Sequence, residues 1–237
     1  MKNIFIYSGL GASFDCIKDV YYFFKSFTSS NYEIKYIHYW NIINENWEKN
    51  TELIVFPGGA DLGYERNLGI IGCQKIRDFV KNGGTYLGIC AGAYFAGSFL
   101  EFAKGTKLEI IEKRNLALFE GTTLGPILKP YNYDDESGAC AAELNFFSKK
   151  VYVYYNGGCT FIPNSEYSMK NVDVMATYVK KNNLPAIIRC NLGSGFAILS
   201  GVHFEKILED SESSISKQIR STKGNLNLCL KKLFNFI

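Results

Sequence analysis

Histidine is scarce in this chain of 237 residues, which contains only His38 and His203. A catalytic zinc site made of three histidines is therefore excluded, and no HExxH motif is present. The seven cysteines are far apart in the sequence and form no CxxC pair, which argues against a disulfide framework. We therefore expect reduced thiols, no metal and no other cofactor.

Long hydrophobic runs and strongly basic segments are also missing. No segment approaches the roughly 20 apolar residues that a membrane-spanning helix needs. The opening stretch, MKNIFIYSGLG, holds too short an apolar run for a secretory signal, whose hydrophobic region has about 7–15 residues. The formal net charge is only +3, which is too small to indicate a nucleic-acid surface. The sequence thus predicts a cytoplasmic protein that binds neither membranes nor nucleic acid.

The composition is that of an ordinary globular protein, with 47% hydrophobic and 21% charged residues. A chain of this length can bury a substantial core. We expect one domain over residues 1–237, with a less regular insertion at about 101–170 that forms a wall of a cleft. That insertion is rich in glycine, proline and tyrosine, and it shows only two short strand-like pieces, at 107–111 and 151–155.

Strand-like and helix-like patterns alternate in the first hundred residues. The predicted helices cover 14–27 and 70–81, where apolar residues recur every three or four positions. Such alternation indicates an α/β protein with a mostly parallel sheet and helices on both faces. After the insertion, a turn at 191–195 joins two further strands, and the chain ends in a helix near Phe236. The predicted strands lie at 3–7, 32–38, 53–56, 85–89, 174–179, 186–190 and 196–199.

Cys90 lies in the stretch GTYLGICAGAYF, where a buried strand passes into a helical segment through small residues. The free N–H groups and the positive end of such a helix would face the sulfur and favour its thiolate form. In open α/β sheets, ligands bind at the carboxyl ends of the strands, which is where Cys90 would lie. Cysteine is also among the most frequently buried residue types, so a packed core thiol is the plain alternative.

The segment GVHFE, which follows the last predicted strand, supplies a candidate base and a candidate carboxylate. His203 and Glu205 are two positions apart, so on an extended backbone their side chains point the same way. Together with Cys90 they provide the nucleophile, the base and the orienting acid of a cysteine hydrolase. Alone, His203 would fit a half-buried loop histidine. Its combination with Cys90 favours the chemical interpretation.

Two glycine-rich segments are candidates for binding the reacting group. In PGGAD, which follows the strand at 53–56, the amide of Gly59 and the amide of Ala91 could form an oxyanion hole. In YNGG, Asn156 and Gly157 offer amide groups to a polar substrate. Each segment also fits a plain turn. The three acids at 134–136 are expected to form a solvated surface.

In their order along nearly the whole chain, these motifs resemble the class I glutamine amidotransferase-like superfamily. More narrowly, they are similar to the glutaminase-like N-terminal domain of eukaryotic biotin–protein ligases and its free-standing relatives. The resemblance implies a flavodoxin-like sheet, with Cys90 as nucleophile, His203 as base and Glu205 as the orienter of that base. The segments that carry the resemblance are PGGAD, CAGAYF, EFA, GTTLGP, YNGG and GVHFE.

The chain departs from these families at two places. Typical glutaminases carry glutamine or a similar polar residue four positions after the cysteine, where this chain has Tyr94. Free glutamine is therefore not the expected substrate, although thiol chemistry still is. The glycine- and arginine-rich adenylate loop of biotin–protein ligases is missing, so we do not expect this chain to transfer biotin alone. The predicted substrate-binding residues are Gly58, Tyr94, Asn156 and Gly157.

Two functions are compatible with these residues. The first is a cysteine-dependent amidase or hydrolase that cleaves a C–N bond of a small-molecule amide or carboxyl substrate through Cys90, His203 and Glu205. The second is a non-catalytic small-molecule-binding or regulatory module, related to the biotin–protein ligase N-terminal domain, with a biotin-ligase-like protein as a candidate partner. A Cys90→Ser variant that keeps its ligand and its cellular role would favour the second function.

Overall fold

Strands and helices alternate through the first part of the chain in the computed structural model, which describes residues 1–132, 135–165, 167–206 and 212–237. The helices are α1 (Phe14–Phe27), α2 (Tyr39–Asn44), α3 (Asp61–Lys81), α4 (Ala91–Phe95), α5 (Ser214–Ser221) and α6 (Lys223–Leu233). The strands are β1 (Lys2–Tyr7), β2 (Tyr32–Ile37), β3 (Thr51–Phe56), β4 (Thr85–Ile89), β5 (Gly97–Phe102), β6 (Ile110–Lys113), β7 (Phe119–Gly125), β8 (Cys140–Phe146), β9 (Lys149–Tyr155), β10 (Thr160–Pro163), β11 (Val172–Tyr178), β12 (Leu184–Leu192) and β13 (Gly195–Ser200).

The main sheet has nine strands in the order β2-β1-β3-β4-β13-β12-β11-β8-β9. The first five strands of this order are parallel to one another, and their arrangement is that of a flavodoxin-like sheet. The last four strands extend the sheet through antiparallel pairs. The predicted flavodoxin-like α/β fold is therefore confirmed, and its parallel half carries the candidate site.

The strand β4 lies inside the parallel half and is buried along its whole length. Its Leu87 is level with Val55 in β3 and with Ile198 in β13. Because β4 and β13 are hydrogen-bonded neighbours that run in the same direction, their carboxyl ends meet at one edge of the sheet. Cys90 follows β4 and Gly201 follows β13, so the segments CAGAYF and GVHFE meet at that edge.

Helices cover both faces of the main sheet. On one face, Phe24 of α1 and Leu230 of α6 pack with Leu87 of β4 in a single buried cluster. On the other face, Ile76 of α3 packs with Tyr86, which is the neighbour of Leu87 and points to the opposite side. None of the helices in the described parts of the chain combines the length and the apolar character that crossing a membrane requires.

Most of the predicted elements are confirmed within a few residues. The helix over 14–27 and the strand over 85–89 match to the residue. The helix predicted to begin at residue 70 instead begins at Asp61, because two helical pieces meet at a kink. At this kink, Gly69 has φ 53° and ψ −160°. The regular apolar spacing that predicts a helix starts only after the kink.

The middle of the chain contains more regular structure than its sequence predicts. β5, β6, β7 and β10 form a second sheet in the order β10-β7-β5-β6, and β8 and β9 form one edge of the main sheet. The strand predicted at 151–155 is confirmed within β9, whereas the one predicted at 107–111 is displaced to β6. The strand β7 reads FEGTTLG, in which two glycines, residues that are depleted in strands, interrupt the strand pattern.

Candidate active site

Cys90 occupies a strained turn between β4 and α4. Its backbone has φ 50° and ψ −104°, a positive-φ conformation that residues other than glycine rarely adopt. The amide of Cys90 donates to the carbonyl of Ser200 at the end of β13, 2.8 Å away, and this bond ties the turn to the neighbouring strand. A side chain at Gly92 would collide with the carbonyl of Phe56, so the turn requires glycine there.

The helix that follows Cys90 is short. It covers only Ala91–Phe95, and β5 begins two residues after it ends. So short a helix contributes little dipole at Cys90. This differs from the sequence-based expectation, in which the helix itself supplied electrostatic support for a thiolate.

His203 and Glu205 form a buried pair beside the turn. Nδ1 of His203 lies 2.7 Å from Oε1 of Glu205, and the two residues are only 6% and 1% exposed. The amide of His203 donates to the carbonyl of Tyr154, 2.8 Å away, so β9 holds the backbone of the pair. Because Nδ1 is engaged by Glu205, Nε2 is the ring nitrogen left to interact with Cys90, which lines the same cleft.

The neighbours of His203 determine its charge. Burial lowers the pKa of His203, but the interactions of the imidazole with Glu205 and Cys90 outweigh burial. The pKa of His203 therefore lies well above its ordinary value. The carbonyl of Asn156 is 3.8 Å from Sγ of Cys90 and accepts a weak hydrogen bond from the thiol.

Gly59 and Ala91 line the same cleft as Cys90. Within the described ranges of the chain, neither of their backbone amides donates a hydrogen bond to another protein group. The backbone at Gly59 is held by an antiparallel bridge to Ala12 in the loop after β1. Two free amides beside a cysteine sulfur are donors of the kind that an oxyanion hole uses.

A buried ion pair anchors the end of the PGGAD loop. Arg114, just after β6, has a fully buried side chain, and its Nε lies 2.6 Å from Oδ2 of Asp61 at the start of α3. Burial raises the pKa of Asp61, while the charge and the hydrogen bond of Arg114 oppose the rise. The pair connects the second sheet to the loop that carries Gly59. The sequence motif contains Asp61 but gives no sign that Arg114 is its partner.

Tyr94 binds the YNGG segment. Its hydroxyl donates to the carbonyl of Gly157 at 2.9 Å, and the residue is only 4% exposed although it lines the cleft. Phe102 and Tyr131 continue an aromatic wall through edge-on contacts with centroid distances of 5.5 and 5.7 Å. Asn156 also lines the cleft, and no described residue bonds its buried Oδ1 atom.

Gly58 lies behind the imidazole and is not one of the residues that line the cleft. A Cβ atom at this position would be 2.8 Å from Cε1 of His203 and 2.8 Å from Sγ of Cys16. The glycine therefore makes room for the base and for a second thiol. Cys16 lines the cleft from α1. The sequence pattern does not indicate this, because a position outside the apolar stripe of an amphipathic helix is most simply a solvated one.

The cleft has a volume of about 840 Å³, which is within the usual range for small-molecule sites. Of the acids at 134–136, Glu136 lines this cleft and pairs with Lys206 at 2.9 Å, while Asp134 lies outside the described residues. Lys206 and Asp19 also line the cleft and were not singled out from the sequence. In the part of the chain that the structure describes, no three histidine, cysteine or acidic residues are grouped to hold a metal ion.

Two proteins of known sequence align with most of this chain. The biotin–protein ligase of Schizosaccharomyces pombe is 36% identical over 239 residues, which cover 98% of this chain and 38% of that protein. An uncharacterized protein of Chlamydia muridarum is 40% identical over 170 residues, which cover 69% of this chain and 64% of that protein. This chain therefore spans less than two thirds of the length of either relative.

A solved structure and a family model complete the comparison. A cytoplasmic protein of Salmonella typhimurium LT2 matches with a TM-score of 0.52 and 15% identity over 97% of each chain, which shows the likeness of fold alone. Residues 2–235 match the family model described as "Biotin-protein ligase, N terminal". Because that match includes the Cys90 turn, the PGGAD loop and the GVHFE segment, the chain belongs to the biotin–protein ligase N-terminal domain family.

Proposed function

We propose that this chain is a cysteine-dependent amidase or hydrolase. The observation that supports the proposal is the grouping of three side chains: Glu205 bonds Nδ1 of His203, and His203 lines the same cleft as Cys90, which lies on a strained turn. An imidazole held by an acid on one nitrogen, with a thiol nearby, is the arrangement that activates a cysteine nucleophile. The free amides of Gly59 and Ala91 add two hydrogen-bond donors for the negative charge that develops on the substrate oxygen.

In the first step, the thiolate of Cys90 attacks the carbonyl carbon of an amide and forms a C–S bond. The negative charge on the carbonyl oxygen is stabilised by the amides of Gly59 and Ala91. Protonated His203 then gives its proton to the leaving nitrogen, the C–N bond breaks and an amine departs. A thioester on Cys90 remains.

In the second step, water removes the acyl group. Neutral His203 takes a proton from water, the resulting hydroxide attacks the thioester, and the C–S bond breaks. Cys90 leaves as the thiolate beside protonated His203, and a carboxylic acid is released. Glu205 stays ionised throughout and keeps the imidazole oriented. The overall reaction consumes one water and yields one acid and one amine.

The substrate that we propose is a small-molecule amide larger than free glutamine. Tyr94 stands where typical glutaminases carry a polar substrate-binding side chain, and its hydroxyl is already bonded to Gly157. The cleft of about 840 Å³ has room for a drug-sized molecule. The aromatic wall of Phe102 and Tyr131 favours an apolar acyl portion.

A biotin-ligase-like protein is the candidate partner. In the Schizosaccharomyces pombe ligase, the segment that matches this chain makes up 38% of a longer polypeptide, so there the two parts are covalently joined. Co-elution of this chain with a biotin ligase in size-exclusion chromatography would support a partnership. Separate elution at concentrations well above micromolar would contradict it.

p-Nitrophenyl acetate tests the chemistry without the natural substrate. We expect a burst of about one p-nitrophenolate per chain, and mass spectrometry should find the acetyl group on Cys90. Cys90→Ala should abolish the burst, and His203→Ala should slow it by about 100-fold or more. Cys140→Ser is the control, because Cys140 is half-buried and lies outside the cleft.

Two results would count against the proposal. Acetylation of Cys140 at the same rate as Cys90 in folded protein would show that Cys90 has no special reactivity. A folded Cys90→Ser variant that keeps its ligand and its cellular role would favour the binding or regulatory module instead.

A further inference from the structure

The two outer edges of the main sheet differ in how their backbone groups are satisfied. At the edge formed by β9, the amide of Tyr152 donates to Oγ1 of Thr222 at 2.8 Å. On the same strand, the carbonyl of Lys150 accepts from Nδ2 of Asn225 at 3.2 Å, so the start of α6 covers this edge. At the other edge, β2 has β1 as its only neighbour among the strands that the structure describes. An edge strand of this kind presents unpaired N–H and C=O groups to another strand.

The hydrogen bonds to β1 show which backbone groups of β2 point outward. The carbonyl of Asn31 accepts from the amide of Lys2, and the carbonyl of Ile37 accepts from the amide of Ser8, each at 3.0 Å. Backbone groups alternate between the two sides of a strand, so the odd-numbered residues of β2 direct their N–H and C=O groups toward β1. The even-numbered residues therefore direct theirs away from the sheet.

Ile34 and Tyr36 are the residues with free outward groups. In the described parts of the chain, no backbone group bonds the amide or the carbonyl of either residue on that side. Tyr32 also points outward, but its amide already donates to the carbonyl of Ser29 at 3.2 Å. A strand that approached this edge would thus find both groups of Ile34 and Tyr36 and the carbonyl of Tyr32.

The sequence of β2, YEIKYI, is complementary to itself when two antiparallel copies are centred on Ile34. In this register the Ile34 residues form a hydrogen-bonded pair, and Glu33 and Lys35 face each other in the closer non-hydrogen-bonded pairs. Tyr32 and Tyr36 face each other in the next pairs. Facing opposite charges and facing aromatic rings both stabilise strand pairing. Charges on an edge strand commonly prevent pairing, but in this order they favour one register.

Aromatic rings beside the same edge extend the surface that a second copy would cover. Tyr21 of α1 stacks on Tyr36 with the ring centroids 5.9 Å apart, and it contacts Tyr22 edge-on at 5.5 Å. Tyr22 and Tyr36 are each 53% exposed. Large aromatic side chains contribute strongly to interfaces when they become buried. The open edge and its flanking tyrosines therefore form one continuous surface.

We propose that β2 pairs with β2 of a second copy of this chain, so that two main sheets join into one continuous sheet about a two-fold axis at Ile34. The interface is isologous, and each Glu33 meets Lys35 of the other copy. β2 contributes no residue to the lining of the cleft, so both clefts stay open and the pairing is independent of the proposed reaction. Because one strand pair with flanking rings is a small interface, we expect a micromolar dissociation constant and a monomer at nanomolar concentrations.

Charge reversal tests the pairing by sedimentation equilibrium. Glu33→Lys places lysines opposite each other and Lys35→Glu places carboxylates opposite each other, so each change should raise the dissociation constant at least about tenfold. An equimolar mixture of the two variants, one of them fluorescently labelled, should form a heterodimer, because every facing pair then has opposite charges. The double variant Glu33→Lys/Lys35→Glu should recover the homodimer. Glu120→Lys is the control, since it reverses an exposed charge on β7 in the second sheet and should leave the dissociation constant unchanged.

Amide hydrogen exchange measured by NMR locates the contact. Raising the protein concentration through the dissociation constant should slow exchange at Ile34 and Tyr36, whose amides point outward. The amides of Glu33 and Lys35, which face β1, should exchange slowly at every concentration. A chain that stays monomeric at the concentration of the NMR sample would overturn the inference and leave this edge to a strand of another protein. A dimer that both charge reversals leave intact, or variants that fail to associate when mixed, would overturn it as well.

Discussion

Gly58 leaves the space that the His203 imidazole needs, because a Cβ atom at position 58 would lie 2.8 Å from Cε1 of that ring. The imidazole cannot retreat without losing the 2.7 Å bond between its Nδ1 and Glu205. The position of the candidate base is therefore set by a missing side chain on one side and by a carboxylate on the other. Both constraints act on the ring that faces Cys90.

Gly58→Ala should displace the imidazole and slow the alkylation of Cys90 by iodoacetamide about tenfold or more at neutral pH, because small errors in position are costly for an activated nucleophile. Gly224→Ala is the control, since nothing lies within 4 Å of the Cβ that it would add. Peptide mapping by mass spectrometry gives the rate at Cys90 in each protein. Equal rates in the two variants would show that the contact with Gly58 does not position the base.

The pair of His203 and Glu205 should make the stability of the fold depend on pH. Histidine in an unfolded chain has a pKa of about 6.5, and the pKa of His203 in the folded protein is well above its ordinary value. The contribution of protonated His203 to the free energy of unfolding is therefore fully present below the unfolded-state pKa. It is lost as the pH rises through the folded-state pKa. Urea unfolding over this pH range should show the decline in the free energy of unfolding.

His203→Gln should flatten that decline, and the matched change at the exposed residue His38 should leave it as in the unmodified protein. The informative quantity is the difference between the two variants at each pH, because other groups titrate in the same range. Parallel curves for the two variants would contradict a raised pKa of His203.

Arg114→Leu should lower the free energy of unfolding by about 3–5 kcal/mol, because it leaves the carboxylate of Asp61 buried without a counter-ion. Asp61→Asn in the same protein should recover part of the loss, since the uncompensated charge is then gone. Lys35→Leu is the control, as its pair with Glu33 is exposed and should contribute less than about 1 kcal/mol. Urea denaturation gives the free energy of unfolding of each variant. If Arg114→Leu lowered it no more than Lys35→Leu, the buried ion pair would not have the proposed importance for stability.

Tyr94→Phe should lower the free energy of unfolding, measured by urea denaturation, by about 1 kcal/mol. The reason is that the carbonyl of Gly157 loses the hydroxyl that donates to it at 2.9 Å. The neighbouring carbonyl of Asn156 accepts from the Cys90 thiol, so the acetyl burst with p-nitrophenyl acetate should also become slower. Tyr22→Phe removes a hydroxyl from an exposed tyrosine and should change neither quantity. A slower burst in both variants would point to a general effect on the fold.

The placement of Cys90 and His203 at the same edge of the sheet could be predicted from the sequence, because it follows from the rules of parallel sheets. A cysteine after one strand and a histidine after another lie at the same edge whenever both strands run the same way. Here the two strands, β4 and β13, are hydrogen-bonded neighbours. Their adjacency could not be deduced from the segments alone, since more than a hundred residues separate them.

The partners from the middle of the chain could not be predicted. Arg114 follows a four-residue strand of weak pattern, and its carboxylate partner Asp61 lies 53 residues earlier, at the start of the helix α3. Ion pairs between distant segments leave no periodic signal, because each residue alone looks like an ordinary surface charge. Asp19 was missed for a related reason, as a polar position on an amphipathic helix is most simply a solvated one.

Cys90 and the segment that carries His203 follow the ends of two strands in one continuous ladder, and the amide of Cys90 is bonded to Ser200 at the end of β13. Separating the two strand ends would require breaking that ladder between two buried strands. The remainder of the cleft is made by α1, the aromatic wall and the loops of the second sheet. Substitutions in these outer surfaces can therefore change what the cleft binds without disturbing the strand pair that holds Cys90 and His203.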